Sequence, residues 1–457
     1  MISEIALQKL RSSLRGQLLC PGEEGYDAAR TLPNAMIDRR PGVIARCAGV
    51  ADVLACVRTA REHELLVAVR GGGHSVSGKS VCEGGLMIDM SAMKGIRVDP
   101  VRRTVRAQTG VKLGEFDRET QAFGLATTQG VVPTVGMAGL TLGGGWGQLH
   151  AKYGLAVDNV IAADVVTADG RMLTVNANEN PDLFWAIRGG SGNFGVATSL
   201  EFQLHEVGPV FGGAVFYPAA QARGVLRFWR EFAAESPDEL VTQGGSFRLP
   251  DGTPVFGIAA CYCGAVEQGE KILNPLRKFG SPLADALSPM SYIQIQSMFE
   301  PFFPPGRRVY TKSNFLKQLS EEAIQAMVQF VAKSPSPYTF APFIEHWNGA
   351  ATRVAPTATA FPHRQYEWNF LAWSIWTDSA EDEKNMQWTR ECWEAMRPFM
   401  VAGSYGNYVT DEGEAIAREA YGQNYNRLVT LKNKYDPTNF FRLNHNIRPS
   451  QAAQAVS

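Results

Sequence analysis

The run Val67-Ala68-Val69-Arg70-Gly71-Gly72-Gly73-His74-Ser75 constrains this chain more than any other stretch. A β-branched pattern ends at Arg70, and three glycines follow before His74. Backbone stripped of side chains can turn through positive φ and approach a ligand closely. Successive peptide N–H groups in such a turn form a concavity suited to phosphate oxygens. An imidazole at its lip would lie over whatever the phosphates belong to. The pattern points to a diphosphate cofactor whose reactive end meets a histidine.

At 457 residues the chain is better read as two domains than one. Its 44 basic and 45 acidic residues leave a formal charge of −1. That balance gives no electrostatic footprint for nucleic acid or an anionic membrane. The expected partner is a small molecule, and the oligomeric state is left open. The seven cysteines (Cys20, Cys47, Cys56, Cys82, Cys261, Cys263 and Cys392) are odd in number and match no zinc spacing. His150, His205, His346, His363 and His445 show no metal-ligand spacing either, so no metal is expected. The amino terminus lacks the apolar core of a secretory signal, and no run is long enough to span a bilayer. A reducing cytoplasm is the expected compartment.

Periodicity predicts helices over residues 4–15 and 49–63, and a helical stripe at Leu113, Phe116, Thr120 and Phe123. Strands are predicted at 66–70, 86–89, 104–108, 160–167 and 196–204. The Asp169-Gly170 pair between two apolar runs predicts a hairpin. Asn180-Pro181 predicts a helix start, with Asn180 as cap and Pro181 in the first turn. Glycine clusters stop near residue 206, and tryptophan and proline take over. The texture changes again near 405. We expect an α+β fold with a cofactor module over 1–205, a substrate module over 206–404 and a segment, 405–457, returning to the first. The substrate module should be an antiparallel sheet covered by helices on one side, with the active site where the modules meet.

Gly190-Ser191-Gly192-Asn193-Phe194-Gly195 fits G-x-G-x-x-G. It follows a predicted helix and precedes a strand, the reverse of what a nicotinamide dinucleotide turn needs. A second glycine-rich block runs from Gly130-Val131-Val132-Pro133-Thr134-Val135-Gly136 through Gly143-Gly144-Gly145-Trp146-Gly147 to Gly154-Leu155 and Asp158-Asn159. Two such blocks separated by a helical stripe read as two walls of one cofactor slot.

On these motifs, with Tyr421-Gly422, Asn424-Tyr425, Lys432, Asp436-Pro437, Asn439-Phe440-Phe441, Asn444 and Asn446-Ile447, the chain resembles the berberine-bridge-enzyme-like flavin oxidoreductases, of the vanillyl-alcohol-oxidase type of FAD-binding fold. The resemblance covers nearly the whole chain. It implies FAD, bonded through the imidazole of His74 to the flavin 8α-methyl. Many relatives add a cysteine link to flavin C6; the matching position here is Val132, so the resemblance implies one linkage and a lower flavin potential than in doubly linked relatives. The cofactor residues it implies are Arg70, Gly71, Gly72, Gly73, His74, Ser75 and Gly78. Val132, Thr134, Val135, Gly136 and Gly139 follow, then Gly144, Gly145 and Gly147, then Asp158, Asn159 and Val160, then Gly195 and Val196, and finally Asn444 and Asn446.

The resemblance also points to Tyr421 as a site residue and possible base. A phenol titrates near 10, so it would need a neighbour or the flavin field to lower that value. Packing as a loop-capping tyrosine is the competing role. Residues 365–370 alternate like a strand, with Gln365, Glu367 and Asn369 on one face and Tyr366, Trp368 and Phe370 on the other. Tyr366, Glu367 and Asn369 are the further catalytic candidates. The expected reaction is hydride removal from a C–H next to oxygen or nitrogen, with molecular oxygen as acceptor. A flavin dehydrogenase that reacts poorly with oxygen, a non-redox flavin-retaining protein and a nicotinamide enzyme are the alternatives.

Overall fold

The strand that launches the glycine turn, Val67–Arg70, pairs in parallel with Leu86–Asp89, which pairs in parallel with Val43–Arg46 on its other side. Gln17–Leu19 adds an antiparallel edge. These relations come from a computed structural model that describes residues 2–249, 251–410 and 414–450. The crossover helix Val50–Glu62 puts Val53, Cys56, Val57 and Ala60 on one buried face against this sheet. That i, i+3, i+4 spacing is what makes the segment helical in context. Arg70 therefore ends an edge strand whose first two residues are buried, and the three glycines begin where the sheet ends.

A second, antiparallel sheet runs in the order Ile96–Asp99, Thr104–Gln108, Val196–Gln203, Val160–Val166, Met172–Asn176. The Asp169-Gly170 turn joins the last two strands in that order, with Gly170 at φ 76°. Asn180 does precede the helix Pro181–Ile187, but its side chain does not cap it. Its Nδ2 donates to Thr174 O instead (2.8 Å), and its backbone is left-handed. The helix Leu113–Gln121 buries Leu113, Phe116 and Thr120, while Phe123 lies beyond its end, exposed.

The third sheet is the largest. Its main path is Ala284–Asp285, Val210–Pro218, Pro254–Tyr262, Leu240–Arg248, Phe340–His346, Trp368–Trp376, Arg308–Leu316, all antiparallel. Helices Ala222–Ala234, Val266–Lys278, Glu321–Val328 and Asp382–Met396 cover one face through residues such as Trp229, Leu273, Met327 and Cys392. Trp229 is fully buried and donates its indole N–H to Thr242 Oγ1 (2.9 Å). Truncating such a side chain to alanine costs about 3–5 kcal/mol. The opposite face of this sheet carries the site.

The last helix, Tyr425–Tyr435, returns to the first half of the chain and packs Leu428 and Leu431 into the same core as Leu183 and Phe202. Lys432 is completely buried there. Its ammonium pairs with Asp436 (2.7 Å) and donates to Asn193 O (2.7 Å) and Phe441 O (3.0 Å). A buried cation satisfied this fully is a latch; removing either charge would leave the other unpaired at about 3–5 kcal/mol. No helix among the described residues is long and apolar enough to cross a membrane.

Candidate active site

One large cavity opens between the glycine segments and the face of the third sheet opposite its four covering helices. Its first wall is mostly backbone. Gly71 to Ser75, Gly136, Gly139, Gly192 and Gly195 line it. Two reasons for glycine are visible. A Cβ on Gly72 would stand 2.2 Å from Gly136 N, so the two segments touch main chain to main chain. A Cβ on Gly139 would meet nothing within 4 Å and would project into the cavity. A wall bare enough for such a Cβ to fill fits a large planar or diphosphate ligand. Ser80 Oγ, on the same wall, is buried without a partner in the protein. A buried polar atom left this way implies something else to bond.

His74 lines the cavity and makes no hydrogen bond with the described residues. Burial, with a smaller push from Lys112, pulls its pKa down to about 4. The imidazole is neutral at physiological pH and keeps a free lone pair. Gly73, at φ 77°, makes the turn that presents it. Arg70 lies beneath that turn rather than in the cavity: its guanidinium donates to Ala29 O, and a Cβ on Gly73 would stand 3.2 Å from its Nε.

The second wall is the sheet. Cross-strand register places Gln243, Glu345 and Asn369 side by side, because Gln243 pairs with Glu345 and Glu345 with Asn369. The next row holds Gly245, Phe343 and Leu371. A register shift between Phe340 and Phe343 lets both rings face the cavity, and Phe340 then pairs with Trp373. Phe299 and Phe303 come from the loop that follows the helix Tyr292–Gln296. This wall is polar at one end and aromatic along the rest.

Glu345 is 2% exposed. Asn369 Nδ2 (2.9 Å) and Trp347 Nε1 (3.1 Å) donate to one carboxylate oxygen, and the Tyr408 hydroxyl (2.7 Å) donates to the other. Burial dominates over these donors and lifts its pKa to about 7. A carboxyl group poised near neutrality in a cavity is suited to proton transfer. Tyr405 and Tyr408 are its titratable neighbours, and burial raises the pKa of both, Tyr405 to about 12. A second buried carboxyl, Asp117, is also pushed to about 7 by burial. It does not reach the cavity; Gln296 Nε2 bridges it (3.1 Å) to Gly130 O (3.0 Å), behind the turn that carries Val132.

Of the sequence-predicted cofactor residues, Gly71, Gly72, Gly73, His74, Ser75, Val132, Val135, Gly136, Gly139, Gly195, Val196 and Asn444 line the cavity. Arg70, Gly78, Thr134, Gly144, Gly145, Gly147, Asp158, Asn159, Val160 and Asn446 do not. Several of these serve the frame instead. Gly145 N–H donates to the Tyr405 hydroxyl (2.9 Å), and a Cβ on Gly147 would collide with Gln129 O at 1.6 Å; together they set Trp146 against the cavity. Asp158 makes a two-pronged pair with the buried Arg364 (2.7 Å each). Asn159 Nδ2 donates to Tyr153 O and Leu155 O.

The catalytic candidates need correction. The Tyr421 hydroxyl is buried away from the cavity, accepting from Asn193 Nδ2 (3.0 Å) and donating to His445 O (3.1 Å). Burial raises its pKa far above that of an ordinary phenol, so it holds its proton at neutral pH. Tyr366 and Glu367 lie just before the strand, which begins at Trp368. Tyr366 stacks on Phe315 (5.7 Å between centroids), and Glu367 is exposed. Asn369 stands on the site face of the sheet but one step behind the cavity, holding Glu345. Glu345 and Tyr408 escaped sequence reasoning. The available signal was a lone carboxylate closing the apolar run Phe340-Ala341-Pro342-Phe343-Ile344-Glu345.

A family profile described as FAD binding domain matches residues 41–176, and one described as berberine and berberine like matches 404–448. An FAD-linked oxidoreductase of Dictyostelium discoideum is 34% identical over 444 residues, covering 96% of each chain. (R)-6-hydroxynicotine oxidase of Paenarthrobacter nicotinovorans is 30% identical, covering 96% of this chain and 97% of its own. The crystal structure of 6-hydroxy-D-nicotine oxidase from Arthrobacter nicotinovorans matches with a TM-score of 0.89 at 29% identity, over 96% of this chain and 99% of that one.

Proposed function

Because this chain belongs to the FAD-linked oxidoreductases of the berberine-bridge type, we propose that it is an oxidase that carries FAD on His74 alone and removes hydride from a C–H next to oxygen or nitrogen in a small organic substrate. One observation carries the reading: an unbonded, neutral imidazole and a buried carboxyl poised near pH 7 open into the same cavity from opposite walls. FAD, when bound, supplies the hydride acceptor and returns the electrons to molecular oxygen as hydrogen peroxide.

The residues of this chain do the rest. The glycine wall admits the cofactor at main-chain distance. His74, held neutral by burial, offers the nitrogen for the 8α bond. Val132 has no thiol to offer flavin C6, so His74 would be the single tether. Glu345 takes the proton from the substrate oxygen or nitrogen as the adjacent C–H is broken. Tyr408, Asn369 and Trp347 aim that carboxylate, and each donor favours its ionised form. A positioned base of this kind is worth about 10²–10⁴ in rate.

Anaerobic mixing of holoprotein with substrate, followed by air, tests the acceptor. Fast reoxidation with stoichiometric peroxide is expected. Reoxidation slow against turnover with an artificial acceptor would make the protein a dehydrogenase instead.

A further inference from the structure

Two buried carboxyls of this chain, Asp117 and Glu345, have only neutral donors, and of the two Glu345 is the one that lines the cavity. Lys432 has Asp436, and Arg364 has Asp158. Glu345 has no cationic partner among the described residues. Its three protein contacts are neutral donors, and no nearby cation acts on its titration. A carboxylate buried without a counter-charge is costly, and the cost is recovered when a ligand brings the opposite charge.

The rest of the wall says what else that ligand must be. Moving along the sheet away from Glu345, the cavity-facing positions are Phe343 and Leu371, then Phe247, Phe340 and Trp373. Phe303 stands against two of these, 5.6 Å from Phe340 and 5.2 Å from Trp373 between ring centroids. Ring faces attract a cation and stack on an aromatic group. They cannot pair with hydroxyls. A sugar brings several hydroxyls per ring; Gln243 Nε2 and Trp373 Nε1, buried without partners, and Arg307 offer hydrogen bonds to a few of them, and the rest would be stripped of water against the aromatic rings.

Resting on the flavin-oxidase reading, we propose that the substrate is a hydrophobic arylalkyl amine, bound as the ammonium with its nitrogen on Glu345 and its aromatic end among Phe340, Phe303 and Trp373. The bond balance is consistent with that binding mode. Loss of hydride from the carbon and of one proton from the ammonium nitrogen to Glu345 leaves an iminium, so the organic product keeps the single positive charge of the substrate.

The test uses holoprotein at pH 8 and calorimetric titration with benzylamine, 2-phenylethylamine and 4-phenylbutylamine, each against its matching alcohol, and with cellobiose. At least one amine should bind about tenfold or more tightly than its alcohol, and cellobiose should bind more weakly than either. Glu345→Gln should equalise amine and alcohol, and Trp373→Ala should weaken both alike. The proposal is overturned if no amine outbinds its alcohol in the unmutated protein, a comparison that needs no variant to fold, or if cellobiose binds most tightly. Peroxide is read separately. An amine that binds and bleaches the flavin but yields no peroxide on exposure to air supports the substrate class and contradicts the oxidase. Peroxide from cellobiose with no amine preference does the reverse.

Discussion

The two walls line the same cavity but are built from opposite materials. The glycine wall works by absence. Gly72 lets two main chains touch, and Gly139 leaves space open. The sheet wall works by presence, with Glu345 at one end and a bank of aromatic rings along the rest. The difference teaches where tolerance lies. On the first wall a methyl group is a structural event where main chains touch, as at Gly72; on the second, a side chain can change and leave the fold intact while the chemistry changes.

Substitutions can break or sharpen that contrast. The largest effect should come from Gly72→Ala. Its Cβ would collide with main-chain atoms of Gly136 that cannot move aside, so little or no soluble, flavin-loaded protein is expected. Gly139→Ala is the sharpening partner: the same methyl in open space should leave a folded protein with weakened flavin retention, read by absorbance per chain. If the two variants behave alike, the distinction between close approach and open space fails.

Next in size is Glu345→Gln, expected to lower kcat/KM by about 10²–10⁴ with thermal stability kept. The sign of the pH dependence follows from the raised pKa of about 7. The carboxylate is the working form, so kcat/KM should rise with pH through that value and level off above it. The glutamine variant should lose this limb. A retained limb would assign it to another group.

Tyr408→Phe should act through Glu345. Losing the hydroxyl that favours the carboxylate moves the limb upward, by about one pH unit for a charged hydrogen bond of roughly 1.5 kcal/mol. An unmoved limb would show that Tyr408 does not set the base. Smallest is Tyr421→Phe. Its hydroxyl joins Asn193 and His445 within the core, so about 1 kcal/mol of stability should go while the pH profile stays. A changed profile would return Tyr421 to the chemistry.

The same contrast explains what could be read from sequence. Glycine is a conspicuous residue, and a strand ending in Arg70-Gly71-Gly72-Gly73-His74 announces its turn. Strand 104–108 and the helix 50–62 follow from periodicity, because each buries one face, and strands 67–70 and 86–89 follow from short apolar runs. The motif signatures mislead only about role. Asp158 and Tyr421 hold the frame that shapes the cavity, so a motif position does not by itself put a side chain on the cavity wall. The sheet wall was harder to see. Asn369 has the right strand face, yet its partner Glu345 lies 24 residues earlier and meets it only through strand pairing. Tyr408 comes from a different segment again. Alternation tells which residues share a face, but not which neighbouring strand will stand beside it. Two carboxyls, Asp117 and Glu345, are both lifted to about 7 by burial, and only the three-dimensional arrangement separates the strut from the carboxyl that opens into the cavity.

The most direct test of the account is the intact mass and colour of the acid-denatured holoprotein, with His74→Ala alongside. A single FAD should remain on the unmutated chain, mapped to the peptide containing His74, and the variant should release all of its yellow colour on denaturation. A colourless precipitate from the unmutated protein, or flavin still bonded in the variant, would contradict a cofactor tethered through His74 alone.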